Sequence, residues 1–487
     1  MSSPISQAPV HVTVDSIDID RFLDNPIEHL GDSLTRVMSL PPDTLAALHR
    51  AGMKKRFEQF RHSIPMLSRL ADNEGVNQID KVEDVLPLLF DHATYKSYPA
   101  SLLEKQRFPQ LTTWLGKLTT LDISKVDTTA CRTVDDWVLT LNRETPLSVC
   151  HTSGTSGTLS FLPWTKKNYR NMIREFPVFF FQEFGEIAPP PKLPLNIPCI
   201  YPFFRYGGTA HTIVNDYFVE WIAGTDERFH AAYPGRLSSD LMLLAARRRS
   251  AIAKGQLDRL EIAPELEARR AEFEAQQRDM PQHVANYFAN MRTRLAGQRV
   301  FMMATANLLY TMAEDGLKQG MRGIFAPDSV VVSGGGGKGI VLPDNWQDPV
   351  KEFFGIKRIN LGYGMSEMSG TFPLCEHGHY HSLPWVIPFI LDSDTGKPLP
   401  RSGVTTGRFA FYDLMPDTRW GGFITGDEVT MTWDAPCPCG RTTPYLDSKI
   451  QRFSEKKNGE GEEKITCAAT PGAYEEALDF LNQESAG

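Results

Sequence analysis

The chain contains no GxxxxGK[ST] anywhere, which excludes a Walker A phosphate loop. Near its hydroxyl-rich loops there is no GxSxG either, which argues against a serine-hydrolase nucleophile elbow. Cysteine is scarce: seven residues, an odd and scattered set, so a secreted disulfide framework is not expected. No segment of membrane-spanning length is free of charge, so no transmembrane helix is expected. Positive charge is not in excess. The formal net charge of −8 argues against general nucleic-acid or anionic-membrane binding. Residues 1–20 have neither a basic start nor a long apolar core, so no signal peptide is expected and a cytoplasmic location follows.

At 487 residues the chain exceeds one ordinary core and suggests two or more domains or subdomains. Residues 1–146 read as mainly helical. Apolar residues recur at helical spacing over Ile27 to Met38 and Leu45 to Phe60, and Ser39-Leu40-Pro41-Pro42 stops the first run. The charges of this region read as a solvated face. From Leu147 the pattern changes. An apolar run opens into Cys150-His151-Thr152-Ser153-Gly154-Thr155-Ser156-Gly157, a loop whose backbone N–H groups and hydroxyls suit a polyphosphate. A Ser/Thr/Gly surface turn has the same composition. A helical run, Lys166 to Phe184, follows. The strand Ile197 to Phe203 then meets Arg205-Tyr206-Gly207-Gly208-Thr209-Ala210-His211, either a substrate-side loop or a glycine turn under aromatic core.

Ser238 to Leu295 reads as one or two long helices, with breaks expected at Pro264 and Pro281 and a solvated Arg247-Arg248-Arg249 face. The strand Ser329 to Val332 runs into Gly334-Gly335-Gly336-Gly337-Lys338-Gly339. This fits GxGxxG but opens no helix and has no ribose-binding acid, so a dinucleotide fold is rejected. Helix Trp346 to Phe354, strand Lys357 to Leu361 and the loop Gly362-Tyr363-Gly364-Met365-Ser366-Glu367 continue an α/β rhythm in which strand ends carry a ligand. In Thr425-Gly426-Asp427 the carboxylate can take both hydroxyls of a ribose. Cys437 and Cys439, with Cys375 and one of His377, His379 or His381, can form a tetrahedral zinc site, or stand as reduced thiols beside surface histidines.

Thr152 to Gly157, Gly362 to Glu367 and Thr425 to Asp427 resemble, in order, three signatures of the adenylate-forming (AMP-binding) superfamily. The continuation Thr158-Leu159-Ser160-Phe161 and the Cys437-Pro438-Cys439-Gly440-Arg441 element are most similar to the phenylacetate–CoA ligase and acyl-protein synthetase branches. The resemblance implies an α/β fold: a large domain of sheets flanked by helices, with 1–146 as its helical part. It implies an adenylate-forming core over 147–453 with a helical insertion at about 236–297. The sequence departs from the family at 454–487, read as a vestigial C-terminal domain or one whose site another subunit or partner completes.

It implies ATP-dependent activation of a small carboxylic acid to an acyl-adenylate, then transfer to a thiol: CoA, an acyl carrier protein or Cys467. A reductase partner and a homodimer are compatible with it. Thr152, Ser153, Gly154, Thr155, Ser156 and Gly157 would hold the β- and γ-phosphates. Gly335, Gly336, Gly362, Tyr363, Gly364 and Met365 would wall the adenine and carboxylate pockets. Ser366 would touch the α-phosphate, Glu367 would hold Mg²⁺, and Asp427 would bind the ribose. Arg452 is similar to the arginine before the family's interdomain hinge. Catalysis would rest on Glu367, Ser366 and Thr155, with Cys467 as acyl acceptor. For the zinc site, likeness to the branch favours His381 with Cys375, Cys437 and Cys439. The alternatives are an amide-forming ligase and a non-catalytic nucleotide-binding scaffold.

Overall fold

The computed structural model describes residues 17–153, 158–186, 191–334, 341–453 and 476–481. The first part is helical, and its breaks have local causes. Gly31 in the left-handed region (φ 104°) separates helix Pro26–Leu30 from helix Leu34–Met38, where the spacing had suggested one run. Helix Pro42–Phe60 starts three residues earlier than its apolar spacing indicates, because proline at the first position fits the helical φ and needs no N–H partner. Not all charge here is solvated. Arg56 is buried and donates to the carbonyls of Leu23 (2.8 Å), Leu414 (2.9 Å) and Met415 (3.3 Å).

A two-stranded antiparallel hairpin, β1 (Cys150–Ser153) and β2 (Leu159–Leu162), follows. The first sheet contains β3 (Cys199–Tyr206), β4 (Phe229–Arg236), β5 (Phe301–Thr305), β6 (Val330–Gly334), β7 (Asn360–Tyr363) and β8 (Phe372–Pro373). Its order is β4-β3-β5-β6-β7-β8, parallel except for β8 at the edge. Strands β5 and β6 are buried along nearly all their length, as expected of a parallel sheet covered on both faces. Helices Ala210–Phe218, Ala306–Lys318 and Gln347–Phe354 provide crossovers. The chain reverses direction across the sheet between β3 and β5, so the loops at the carboxyl ends of the strands border a crevice.

The second sheet is antiparallel. It contains β9 (His379–His381), β10 (Val386–Leu391), β11 (Val404–Asp413), β12 (Gly422–Thr432), β13 (Tyr445–Asp447) and β14 (Gln451–Arg452), in the order β10-β11-β12-β13-β9 with β14 also paired to β12. One continuous apolar core joins the helical part, the hairpin and both sheets through Phe60, Trp137, Phe161, Phe204, Trp385 and Trp420.

The segment between the sheet strands departs from expectation at two points. Pro264 starts helix Pro264–Ala268, but Pro281 lies inside helix Arg270–Asn290 instead of ending it. An interior proline costs about 3 kcal/mol. Buried Phe273, Met280, Tyr287 and Phe288 anchor the helix on both sides of it. The arginine run is not a solvated face either. Arg248 and Arg249 each lie 3.7 Å from Glu476, and Arg248 covers the Phe480 ring at 5.5 Å. The helix at 476–481 packs Ala477 against Ala245 and Ala246 of helix Ser239–Ala253. No helix of the described residues is long and apolar enough to cross a membrane.

Candidate active site

The hairpin brings Thr152 opposite Ser160 and Ser153 opposite Leu159, so both stand where the two strands open into the connecting loop. Gly154, Thr155, Ser156 and Gly157 of that loop lie outside the described residues, as do Gly335, Gly336 and Cys467.

Behind Thr152, His151 is fully buried. Its backbone N–H donates to the Gly208 carbonyl (2.9 Å), which ties the hairpin to the turn after β3. Its Nε2 lies 2.7 Å from Ser239 Oγ, and that hydroxyl donates to Asp135 Oδ1 at 2.7 Å. The Ser239 proton is committed to Asp135, so the hydrogen-bond network assigns the ring proton to Nε2. Burial lowers the His151 pKa to about 4 and keeps the ring neutral. Asp135 and its neighbour Asp240 are both pushed up, chiefly by burial. Gly208 must be glycine, because a Cβ there would lie 2.4 Å from His151 Nε2.

The turn after β7 is held by its backbone. Trp164, just beyond β2, donates from Nε1 to the Ser366 carbonyl at 2.9 Å. Arg419 donates from Nη2 to the Glu367 carbonyl at 2.8 Å, and its guanidinium lies 3.9 Å from the Trp164 ring centre. Asp413 accepts from the Ser369 N–H (2.6 Å), and Trp385 donates to the Ser369 carbonyl (2.8 Å). The Glu367 side chain is largely buried beside this network. Gly362 leaves room for Thr371: a Cβ there would meet Thr371 Cγ2 at 2.1 Å.

Tyr363, at the end of β7, donates its hydroxyl to Asp427 Oδ2 at 2.8 Å. Burial, then the Asp427 charge, holds the phenol well above its usual range, so it stays a donor. The other carboxylate oxygen, Oδ1, lies 3.6 Å from Arg452 Nε, because Asp427 of β12 pairs directly with Arg452 of β14. Residues from widely separated segments — Trp164 and Ser366, Tyr363 and Asp427, Asp427 and Arg452 — are therefore in contact.

Cys375, His381, Cys437 and Cys439 are all buried, with their ligand atoms within 4.8 Å of one another. Tetrahedral ligands about 2.3 Å from zinc would stand roughly 3.8 Å apart. The 3.8 Å Cys375–Cys437 and 3.3 Å Cys439–His381 separations suit that geometry. Burial, then Arg441, lowers the His381 pKa to about 3, which leaves the imidazole neutral as a ligand must be. His377 is exposed, and His379 approaches Cys437 Sγ at 3.2 Å while stacking on Tyr445.

Sequence reasoning missed Arg419, Trp164, Asp413, Ser239 and Asp135. None sits in a recognisable motif, and only His151, inside the quoted stretch, was an available signal.

No family model matches this chain. Phenylacetate–coenzyme A ligase of Thermus thermophilus is 29% identical to it over 149 residues, which cover 28% of this chain and 31% of that protein. The chain thus matches about a third of that relative's length. A solved structure of an open conformation of 2-hydroxyisobutyryl-CoA ligase, in complex with 2-HIB-AMP and CoA, is similar with a TM-score of 0.51 and 14% identity, over 88% of this chain and 79% of that one. At that identity the likeness is one of fold.

Proposed function

We infer that this chain, a member of the adenylate-forming superfamily with the fold of its AMP-forming ligases, activates a carboxylic acid. The acid's carboxylate attacks the α-phosphorus of ATP and pyrophosphate leaves; a thiol then takes the acyl group from the adenylate and AMP leaves. The observation that carries this reading is the meeting of three segments. Trp164, which follows the hairpin, bonds the Ser366 turn, and Tyr363, three residues before that turn, bonds Asp427.

In this reading Thr152, Ser153 and the loop at 154–157 receive the β- and γ-phosphates, and Gly335 and Gly336 border the nucleotide with Gly362, Gly364 and Met365. Ser366 faces the α-phosphate. Asp427, oriented by Tyr363 and Arg452, takes the ribose hydroxyls. Glu367 would hold Mg²⁺, a hard cation that neutralises phosphate charge when bound. The chain's own task is to align two anions for displacement at phosphorus, which needs no side-chain nucleophile.

Residues 1–146 form the helical part of the large domain in this reading, 147–453 the core with a helical insertion at about 236–297, and 454–487 belong to the C-terminal domain. The four-residue Cys/His cluster holds zinc as a structural brace. The setting is cytoplasmic, where ATP and CoA are available. CoA is the favoured acceptor. A carrier protein, Cys467 of the chain itself, or an amine in an amide-forming ligase would each give a different product, as would relay to a reductase partner.

Pyrophosphate release over a panel of carboxylic acids, with ATP and Mg²⁺, tests the first half-reaction. Adding CoA, a carrier protein or amines separately, and mass analysis of the intact chain, identifies the acceptor. ATP binding without release for any acid would overturn the reading in favour of a scaffold.

A further inference from the structure

We propose that Arg419 and Trp164 are positioning residues that hold the phosphate-loop hairpin in register with the Ser366–Glu367 turn. The proposal rests on the adenylating role given to that turn. Arg419 is 1% exposed, so it does not itself reach a substrate. A buried guanidinium is costly unless its surroundings compensate it. Here the Trp164 ring face lies 3.9 Å from its centre, and the carbonyls of Glu367 (2.8 Å) and Trp420 (3.3 Å) accept from it. Its buried Nε has no hydrogen-bond partner among the described residues.

The indole uses its other polar feature on the neighbouring carbonyl, Ser366 O. Two successive carbonyls of one turn are thus gripped by two side chains stacked on each other. One follows the hairpin, and the other precedes β12, the strand that carries Asp427. The arrangement fixes where the Ser366 and Glu367 side chains start, relative to Thr152 and Ser153. In-line displacement is sensitive to that spacing, since a shift of about 1 Å can cost roughly 10²-fold in rate. Arg419 cannot be exchanged for lysine without loss, because an ammonium has neither the planar face nor the fork.

Simple core packing is the competing explanation, and the fold contains a matched control. Trp433 is also buried, donates its N–H to Thr405 Oγ1 at 2.8 Å, and lies under the Arg401 guanidinium at 5.2 Å. It contacts neither loop through these groups. Trp164→Phe keeps the ring face and deletes the donor, and Trp433→Phe does the same at the control site. Arg419→Lys keeps the charge.

With the full chain, Trp164→Phe and Arg419→Lys are expected to lower kcat for pyrophosphate release by about 10-fold or more. They should raise the Mg²⁺ needed for half-maximal rate and leave KM for the acid within about twofold. Trp433→Phe should keep wild-type kcat. Equal loss of activity in Trp164→Phe and Trp433→Phe, or wild-type kcat in folded Trp164→Phe and Arg419→Lys, would overturn the proposal.

Hydrogen exchange gives an answer independent of turnover. Trp164→Phe should speed exchange at both 150–153 and 366–369, while Trp433→Phe should not. Unchanged exchange at both segments in Trp164→Phe also overturns the proposal. A wild-type chain that releases no pyrophosphate with any acid defeats the functional reading instead, and the exchange experiment still decides the registry.

Discussion

The Tyr363 hydroxyl donates to Asp427 Oδ2 at 2.8 Å, a bond that joins the last residue of a strand in the parallel sheet to the middle of a strand in the antiparallel one. A hydrogen bond to a charged group contributes about 1.5–3 kcal/mol. If Asp427 takes the ribose, Tyr363→Phe should raise KM for ATP about 10-fold, with little change in KM for the acid. Asp427→Ala should raise it further. Steady-state pyrophosphate release at varied ATP checks both, and an unchanged KM for ATP in Asp427→Ala would remove the ribose assignment.

The Cys375, His381, Cys437 and Cys439 cluster predicts one zinc ion per purified chain. Cys439→Ser should abolish stoichiometric metal, and chelation of the wild type should lower Tm by several degrees. Metal analysis before and after dialysis against a chelator measures the first, and calorimetry the second. Metal-free protein with an unaltered Tm in all four single variants would argue for a set of plain reduced thiols.

Two buried histidines set an acid limit. His49, whose ring N–H donates to the Pro384 carbonyl at 2.9 Å, is lowered to about 3, chiefly by burial, and His151 to about 4. Between these values and the unfolded value near 6.5, the unfolded chain binds protons that the folded chain does not. The stability each neutral ring provides is therefore complete above about pH 6.5 and falls as the pH drops, by up to about 1.4 kcal/mol per pH unit. Urea midpoints should decline from pH 6.5 to 4.5, and His49→Gln should flatten the decline. Parallel curves for variant and wild type would contradict this.

Gly208 lies against the Nε2 edge of the His151 ring, the edge that faces Ser239. Gly208→Ala should destabilise the fold by about 1–3 kcal/mol through overpacking, and should displace the ring from Ser239. A denaturant titration measures the first effect. An unaltered midpoint would mean that the turn after β3 yields more easily than its contacts imply.

Part of the parallel sheet was legible, the strands expected at 197–203, 329–332 and 357–361, because runs such as Val330–Val332 end in glycine loops and a strand-to-loop change needs no distant information; β4 (Phe229–Arg236) and β5 (Phe301–Thr305) were not read. The Cys/His grouping was legible for a similar reason: thiols and imidazoles stand out at any spacing. The spacing of Tyr363 and Asp427 could mark two loops but not their contact, which depends on how two sheets pack. Arg419 and Trp164 carry no local signature at all. Their importance appears only when residues about 200 or more positions apart are brought together. Arg248 and Arg249 misled for the same reason, since Glu476, which meets them, lies more than 200 residues later. Pro281 shows the opposite failure, a strong local rule outweighed by the packing of its neighbours.

Arg56 has a practical implication for anyone trimming the gene. Its three carbonyl partners include Leu414 and Met415, and Phe57 and Phe60 of the same helix press edge-on against Trp420. An expression clone opening at residue 147 would strip that buttress from the stretch leading to Arg419 and wet a face built to stay dry. Such a product should be insoluble or silent even with the segments at 150–162 and 362–369 intact. The helical third of the protein is scaffolding that the chemistry stands on, not a dispensable leader.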